Sequence, residues 1–452
     1  MSKYDSYKDS GVEWIGEIPK HWVKIKIKNT VDPNRKITYG IVQPGKEDPN
    51  GTLMIRGKDY SNGWVDVSEV FRVSSEIEIP YSRSRVKMGD IVYTIVGGVG
   101  NVEIVPKEYE GSNLTQTTGR ISVKDGINSK WVYHSLQSEL NPVQIKLSQV
   151  GSVIPGISLD TLKNFFILLP PLNEQQQIVE FLDTKTELID SLIEKTERKI
   201  ELLKEKRTSI INETVTKGLN PNVEMKDSGV EWIGEIPSHW GKIKLHTLVT
   251  GQKLEFQDGN HGGLHPIPEE FLEIGVPFIK PKDIQKEKVL WDSCDRLPFE
   301  RCEQFRIGFS NNDDVLLVNR GGSIGKVVYV SDYDNEFPYF VINPQVTYLR
   351  GKNGLLSKYT FYISVSDIFQ CGIDLIMGHG STFPFLGLSN MGDFEVVIPP
   401  ISEQQQIVDY LDEQTEIIDK TISNEEKRIE LLKEYRQSLI SEVVTGKRKV
   451  TN

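Results

Sequence analysis

Residues Asp9–Trp22 read DSGVEWIGEIPKHW, and Asp227–Trp240 read DSGVEWIGEIPSHW, so the two stretches differ only at Lys20 and Ser238. A second block, EQQQIV, stands at Glu174–Val179 and returns at Glu403–Val408. Over Asn173–Thr216 and Ser402–Thr445, 26 of 44 positions are identical, whereas the stretches between the blocks hardly align. Such a chain folds as two versions of one unit, each with a part held alike and a part free to differ. The first pair of blocks lies 218 residues apart and the second 229, so the second copy is 11 residues longer. With 452 residues there is length for two or more domains with ample core.

The part held alike reads as a long helix. A proline pair precedes each copy (Pro170 and Pro171; Pro399 and Pro400) and favours extended chain. Asn173 and Ser402 then suit N-caps, with Gln176 and Gln405 completing a capping box. Neither Gly nor Pro follows until Gly218 and Gly446, which suit C-terminal stops. Forty-four residues at ~1.5 Å each give a rod of about 66 Å. Apolar residues recur every seven positions, at Leu182, Ile189, Leu203 and Ile210 and again at Leu411, Ile418, Leu432 and Leu439, with breaks at the matching Thr196 and Glu425. Such a stripe needs a partner, and the other copy supplies one. Antiparallel pairing gives both copies equivalent contacts, so the expectation is an intramolecular antiparallel coiled coil; the competing reading is two separate helices, each covering its own domain.

The variable regions, roughly 23–168 and 241–397, read as mixed α/β. Ile91–Val96, Arg120–Val123, Phe165–Leu169, Val315–Asn319 and Lys326–Val330 are candidate strands. No regular alternation of strand and long helix supports a doubly wound sheet. Residues around Glu255–Glu270 have no evident counterpart in the first copy. Cys294, Cys302 and Cys371 are odd in number and show no CxxC spacing, which fits a reducing cytoplasm. No apolar run is long enough to span a membrane.

Catalytic signatures are absent. Gly97-Gly98-Val99-Gly100 and Gly321-Gly322-Ser323-Ile324-Gly325-Lys326 resemble phosphate loops only loosely, because Val327 follows Lys326 where a Walker loop needs Ser or Thr. Each follows an apolar run and precedes another, so a tight turn between strands is the favoured reading, although such turns also let a ligand approach closely. His261 and His265 have helical metal-pair spacing, but Gly262, Gly263 and Pro266 make them loop residues. A duplicated chain without a duplicated catalytic constellation argues for binding.

The net charge of −11 confines any nucleic-acid contact to local basic patches. Ile55-Arg56-Gly57-Lys58-Asp59 and Ile279-Lys280-Pro281-Lys282-Asp283 place two cations at i and i+2, on one side of an extended segment, in each variable region. Arg83, Arg85 and Lys87 alternate likewise, and residues 20–36 carry Lys20, Lys24, Lys26, Lys28, Arg35 and Lys36 against Asp32. Lys58 and Lys282 suit phosphate, while Arg56 suits phosphate or guanine. The competing reading pairs these cations with Asp59 and Asp283.

The order of variable region, proline pair, EQQQIV helix and DSGVEWIGEIPxHW block, taken twice, resembles the specificity subunit of type I restriction-modification systems over nearly the whole chain. Leu169–Gln175 (LPPLNEQ), Thr216–Pro221 (TKGLNP) and Tyr39–Gly45 (YGIVQPG) are especially similar. The resemblance implies an α+β, pseudo-two-fold duplication: target-recognition domains at 1–168 and 219–397, and long spacer helices at 169–218 and 398–452, the last including a C-terminal tail. It also implies that each domain reads half of a bipartite site in double-stranded DNA and that the helices dock two methyltransferase subunits. A separate restriction/translocase subunit would join them to cut, and S-adenosylmethionine would sit on the methyltransferases, leaving this chain without cofactor, metal or catalytic residue. Two other readings are a specificity subunit serving a fused methylation and cleavage chain, and a coiled-coil adaptor that binds protein.

Overall fold

The computed structural model describes residues 3–149, 156–285, 287–377 and 385–450. The chain packs as two compact units, Met1–Arg198 with Glu425–Asn452, and Lys199–Asn424. Each unit is mixed α/β, with one half of each long helix.

The first unit opens with the hairpin Tyr7–Asp9 and Glu17–Pro19, and Val23–Lys26 then pairs antiparallel with Phe166–Leu169. A four-stranded antiparallel sheet follows in the order Thr38–Tyr39, Thr118–Ile121, Ile91–Thr94, Val102–Ile104. Beside it Thr52–Ile55 lies between Arg72–Val73 and Asn113–Leu114, the latter pairing parallel. Helices Ser129–Gln137 and Leu140–Ser148 complete the domain.

The second unit repeats this topology in the region whose sequence does not align. Met225–Asp227 pairs with Glu235–Pro237, and Gly241–Lys244 with Glu395–Ile398. Leu254–Asp258, Val346–Gly351, Val315–Val318 and Val327–Tyr329 form the equivalent four-stranded sheet. Val276–Ile279 runs parallel to Phe340–Ile342, as Thr52–Ile55 does to Asn113–Leu114. Part of the segment that lacked a counterpart thereby gains one: Leu254–Asp258 occupies the place of Thr38–Tyr39, lengthened to five paired residues. The strands expected from sequence form within a residue or two of their expected limits, and both glycine clusters are inter-strand turns.

The long helices span Leu172–Lys217 and Ile401–Val444. Each begins one residue before the expected N-cap, which corrects the capping-box reading. Gln176 is exposed, and it is the neighbouring Gln175 that is buried. Gln175 Nε2 donates to the Pro170 carbonyl (2.8 Å), and its Oε1 accepts from the Asn128 amide (2.9 Å), at the start of helix Ser129–Gln137. Gln404 does the same with Pro399 (2.9 Å) and the Leu356 amide (3.0 Å) before helix Ser357–Val365. The preceding glutamate takes the end of the tryptophan block. Trp22 Nε1 donates to Glu174 Oε1 (3.2 Å) with His21 Nε2 2.8 Å from Oε2, and Trp240 and His239 hold Glu403 at 2.9 and 2.8 Å. The two repeated blocks are thus two sides of one joint.

Within each unit the helix halves run antiparallel. In the first, Arg436 bonds Asp190 (2.8 Å), while Trp22, on Glu174 at the start of the first helix, lies against Gly446 beyond the end of the second. In the second, Arg207 pairs with Asp419 (3.0 Å), while Trp240, on Glu403, lies against Gly218. Gly218 and Gly446 have φ of +72° and +73°, the left-handed stop expected of them. Leu182, Ile189, Leu411, Ile418 and Leu439 are buried, but Leu203, Ile210 and Leu432 are only half-buried. A second series four residues on, Thr186, Ile193, Ile200, Arg207 and Thr214, lies along the same seam, and Thr196 and Glu425 at the breaks in the first series are buried too. Among the described residues no helix is long and apolar enough to cross a membrane.

Candidate nucleic-acid interface

In both units the ends of the central strands bring several turns together. In the first, the Ile41 amide donates to the Leu114 carbonyl (2.6 Å), the Thr115 amide to Ile55 (3.2 Å) and the Ile95 amide to Thr117 (2.8 Å). Segments 39–43, 56–60, 95–100 and 114–117 are thereby tied into one surface. A Cβ on Gly57 would lie 3.1 Å from Thr94 Oγ1 and 3.9 Å from the Gly97 carbonyl, which places Lys58 beside the glycine turn. The second unit does likewise: the Asn343 amide donates to Ile279 (2.9 Å), the Asn319 amide to Gln345 (3.0 Å) and the Leu386 amide to Asn319 (2.8 Å). Lys282, the turn at Gly321–Gly325 and Asn343–Gln345 share this surface.

The pairs of cations do not sit on extended chain, contrary to the expectation from spacing. The strands end at Ile55 and Ile279, and Gly57–Asp59 and Pro281–Asp283 are single 3-10 turns. Asp59 and Asp283 close these turns by accepting from the amides of Arg56 (2.8 Å) and Lys280 (2.9 Å). Asp59 also grips the Arg56 guanidinium at 2.9 and 3.0 Å, so that the planar fork is already engaged. Lys280 binds Asp295 (2.5 Å) above the Phe271 ring (4.1 Å), and Lys282 lies 3.5 Å from the same carboxylate. Burial opposes ionisation of Asp295, but these lysines hold its carboxyl below the usual carboxylate range. Lys58 is exposed and has no carboxylate partner among the described residues.

Arg83, Arg85 and Lys87 lie elsewhere, before the start of strand Ile91–Thr94, whose far end leads into the glycine turn. They alternate outward as expected, with Ser84 and Val86 buried between them. Arg85 is bound to the buried Glu78 (2.5 and 2.7 Å), whose carboxyl this bond holds below its ordinary range. Arg120, buried in the sheet, donates to the Arg83 and Arg85 carbonyls at 2.7 and 2.8 Å and so fixes the segment from beneath. In the second unit the corresponding residue to Lys87 is Asn311, since their amides donate alike to Asp90 (2.7 Å) and Asp314 (2.9 Å). That places Ile307 and Phe309 opposite Arg83 and Arg85, and makes this basic segment a property of the first unit alone. Lys26 and Lys28 share Asn164 Oδ1 (3.2 and 3.3 Å), whereas Lys244, which matches Lys26, pairs with Asp393 (3.1 Å), and His246 stands in the place of Lys28.

His261 and His265 flank a 3-10 turn, and His261 binds Asp258 (2.8 Å). Among the described residues no group of three or more His, Cys, Asp or Glu could hold a metal ion. Arg320, which the sequence did not single out, directly precedes the turn Gly321–Gly325, its guanidinium carbon 4.2 Å from the centre of the Phe385 ring.

A second repeated surface runs along the helices. In the first unit Trp14, Leu140 and Val143 face Lys433, Gln437 and Ser441 across a groove of about 750 Å³. In the second, Trp232, Ile233 and Ile368 face Lys204, Thr208 and Asn212 across about 870 Å³. The helix residues match one for one at the 229-residue offset. Each unit also exposes an equivalent apolar pair on its helices, Leu188 with Leu431 and Ile417 with Leu202.

Comparison with known proteins gives one answer. The family model for the type I restriction modification DNA specificity domain matches residues 19–202 and 263–434. A stretch of 176 residues is 32% identical to the EcoBI specificity subunit of Escherichia coli, covering 39% of this chain and 37% of that protein. The MjaVIII specificity subunit of Methanocaldococcus jannaschii is 25% identical over 78% of this chain and 82% of its own length. Two solved structures share the fold. One, from work on complex assembly and conformational transition of the type I R-M system, has a TM-score of 0.67 at 15% identity, covering 94% of this chain and 98% of its own. The HsdS subunit from Thermoanaerobacter tengcongensis has a TM-score of 0.51 at 15% identity over 95% and 98%.

Proposed function

Since the chain belongs to the type I restriction modification DNA specificity family, we propose that each of its variable domains reads one half of a bipartite site in double-stranded DNA, and that its repeated helices dock two methyltransferase subunits. The observation that carries the second half is the repetition of the groove beside Trp14 and Trp232, with identical Lys, Glu and Ser residues at matching helix positions. Two equal surfaces suit two equal partners. S-adenosylmethionine then belongs to those partners, a restriction/translocase subunit joins them for cleavage, and this chain supplies only the address. Its acidic total is compatible with DNA binding because the partners contribute positive surface.

The test is reconstitution. Freed of other subunits, the chain transfers no methyl group from S-adenosylmethionine to DNA and cuts none; mixed with its methyltransferase it forms a complex holding two copies, which methylates DNA. Trp232→Asp lowers the stoichiometry to one copy and Trp14→Asp with Trp232→Asp to none. Turnover by the chain alone, or undiminished assembly of the double variant, counts against the proposal. A protein-binding adaptor would give a complex that retains no DNA, and a fused system would show one partner chain carrying both activities.

Lys58, exposed and without a carboxylate partner among the described residues, and Lys282, only loosely held at 3.5 Å from Asp295, suit phosphate. In the assembled complex Lys58→Ala and Lys282→Ala should each lower the slope of log affinity against log salt by about one and weaken all sequences alike. Binding measured across a salt series decides this; unchanged slope and affinity in both variants would remove these lysines from the interface.

A further inference from the structure

We infer that Arg320, braced on Phe385, is the base-reading residue of the second domain and recognises guanine. The inference rests on the DNA-reading role just proposed. Strand Val315–Val318 runs out into Asn319 and Arg320 immediately before the turn Gly321–Gly325. The guanidinium carbon lies 4.2 Å from the centre of the Phe385 ring, and Phe385 is 46% exposed, an unusual place for a large aromatic side chain. Among the described residues the Arg320 side chain makes no hydrogen bond or ion pair, and its buried Nε has no partner. Directly before it, the buried Asn319 Oδ1 is likewise unsatisfied. Two successive residues with orphaned polar atoms at one strand end are an unfilled demand for hydrogen bonds, which folded proteins seldom leave unmet. Arg56, the arginine on the first unit's turn surface, does not share this state, because Asp59 holds its guanidinium.

The geometry suits a base edge. Stacking on an aromatic ring removes most of the freedom of a guanidinium and leaves its planar fork presented, the arrangement that matches the paired acceptors of guanine. A Cβ on Gly321 or Gly322 would meet nothing within 4 Å, so the backbone beside the fork is open to a close approach. Lys282 stands on a turn of the same surface, joined through Asn343 and Gln345. The first unit carries Val96 in the matching place, bridged to Gly156 as Arg320 is to Phe385. The two half-sites are therefore read by different chemistry at this point.

The test uses the assembled methyltransferase complex in competition binding against duplexes bearing every single-base substitution of the site. Arg320→Lys, which keeps the charge, should retain the salt slope yet lose discrimination roughly 5- to 150-fold at one guanine of one half-site, leaving the other half-site unchanged as an internal control. Arg320→Ala should lose the same discrimination, and Phe385→Leu should lose a smaller part of it at the same position. A profile unchanged at every base overturns the inference; if Arg320→Ala then lowers the salt slope by about one, the residue is a phosphate contact. A wild-type complex without any sequence preference would instead sink the DNA-reading role itself.

Discussion

Leu411→Asp is expected to destabilise the unit Lys199–Asn424 by about 5 kcal/mol, enough to unfold it, because it puts an unpaired carboxylate where no water reaches. Leu411 is fully buried in the same core as Trp240, Tyr359 and Val397. Leu432→Asp, one of the substitutions the heptad pattern would single out, should cost only about 1–2 kcal/mol, since Leu432 is half-buried and the new carboxylate keeps part of its hydration. Hydrogen exchange separates the cases: Leu411→Asp should lose protection across 199–424 while 3–149 stays protected, and Leu432→Asp should leave both largely intact. Equal loss in the two variants would show that burial within the stripe does not govern its energetics.

The second large effect belongs to two glycines. A Cβ on Gly40 would lie 1.8 Å from the Leu114 carbonyl oxygen, and one on Gly259 would lie 2.0 Å from that of Ile342. The obstruction is backbone, which cannot swing aside, so Gly40→Ala must break the bond between the Ile41 amide and Leu114 and separate the turns that form the first interface. The expected cost is about 3 kcal/mol or more, overpacking together with a lost backbone bond. Gly126→Ala, with φ of +83° but open space around it, should cost only about 1 kcal/mol from backbone strain. In the assembled complex Gly40→Ala should abolish discrimination in one half-site and Gly259→Ala in the other. Denaturation midpoints and competition binding together check this; a Gly40→Ala no worse than Gly126→Ala would refute it.

What the sequence made legible was the part whose signal is local or repeated. The duplicated blocks announced two units, and the helices, their glycine stops and the strand runs followed from periodicity. One seam series was readable from Leu182 and its heptad successors; the other was not, because Thr186, Arg207 and Thr214 do not look like core. The parallel pairing of Thr52–Ile55 with Asn113–Leu114 joins segments nearly sixty residues apart and leaves no short-range pattern. Basic spacing drew attention to Lys58, Lys282 and Arg56 alike, but it carried no sign that Asp59 engages the Arg56 guanidinium while Lys58 stays exposed. Arg320 stayed hidden because nothing in the sequence separates it from a paired arginine; its distinction is that, among the described residues, its side chain has no hydrogen-bond or ion-pair partner.

The joint at the head of each helix has a consequence for how such chains diversify. Gln175 and Gln404 grip main-chain groups, the amides of Asn128 and Leu356 and the carbonyls of Pro170 and Pro399, and Glu174 and Glu403 hold the His-Trp end of the repeated block. None of these attachments consults a side chain of the variable domain; such contacts come only further along the helix, where Asp183 meets Lys130 and His134 and Asp412 meets Lys358 and Tyr362. A domain of different sequence needs to offer only one amide at that place to take the same head joint, and the two variable domains of this chain, whose sequences hardly align, both do so.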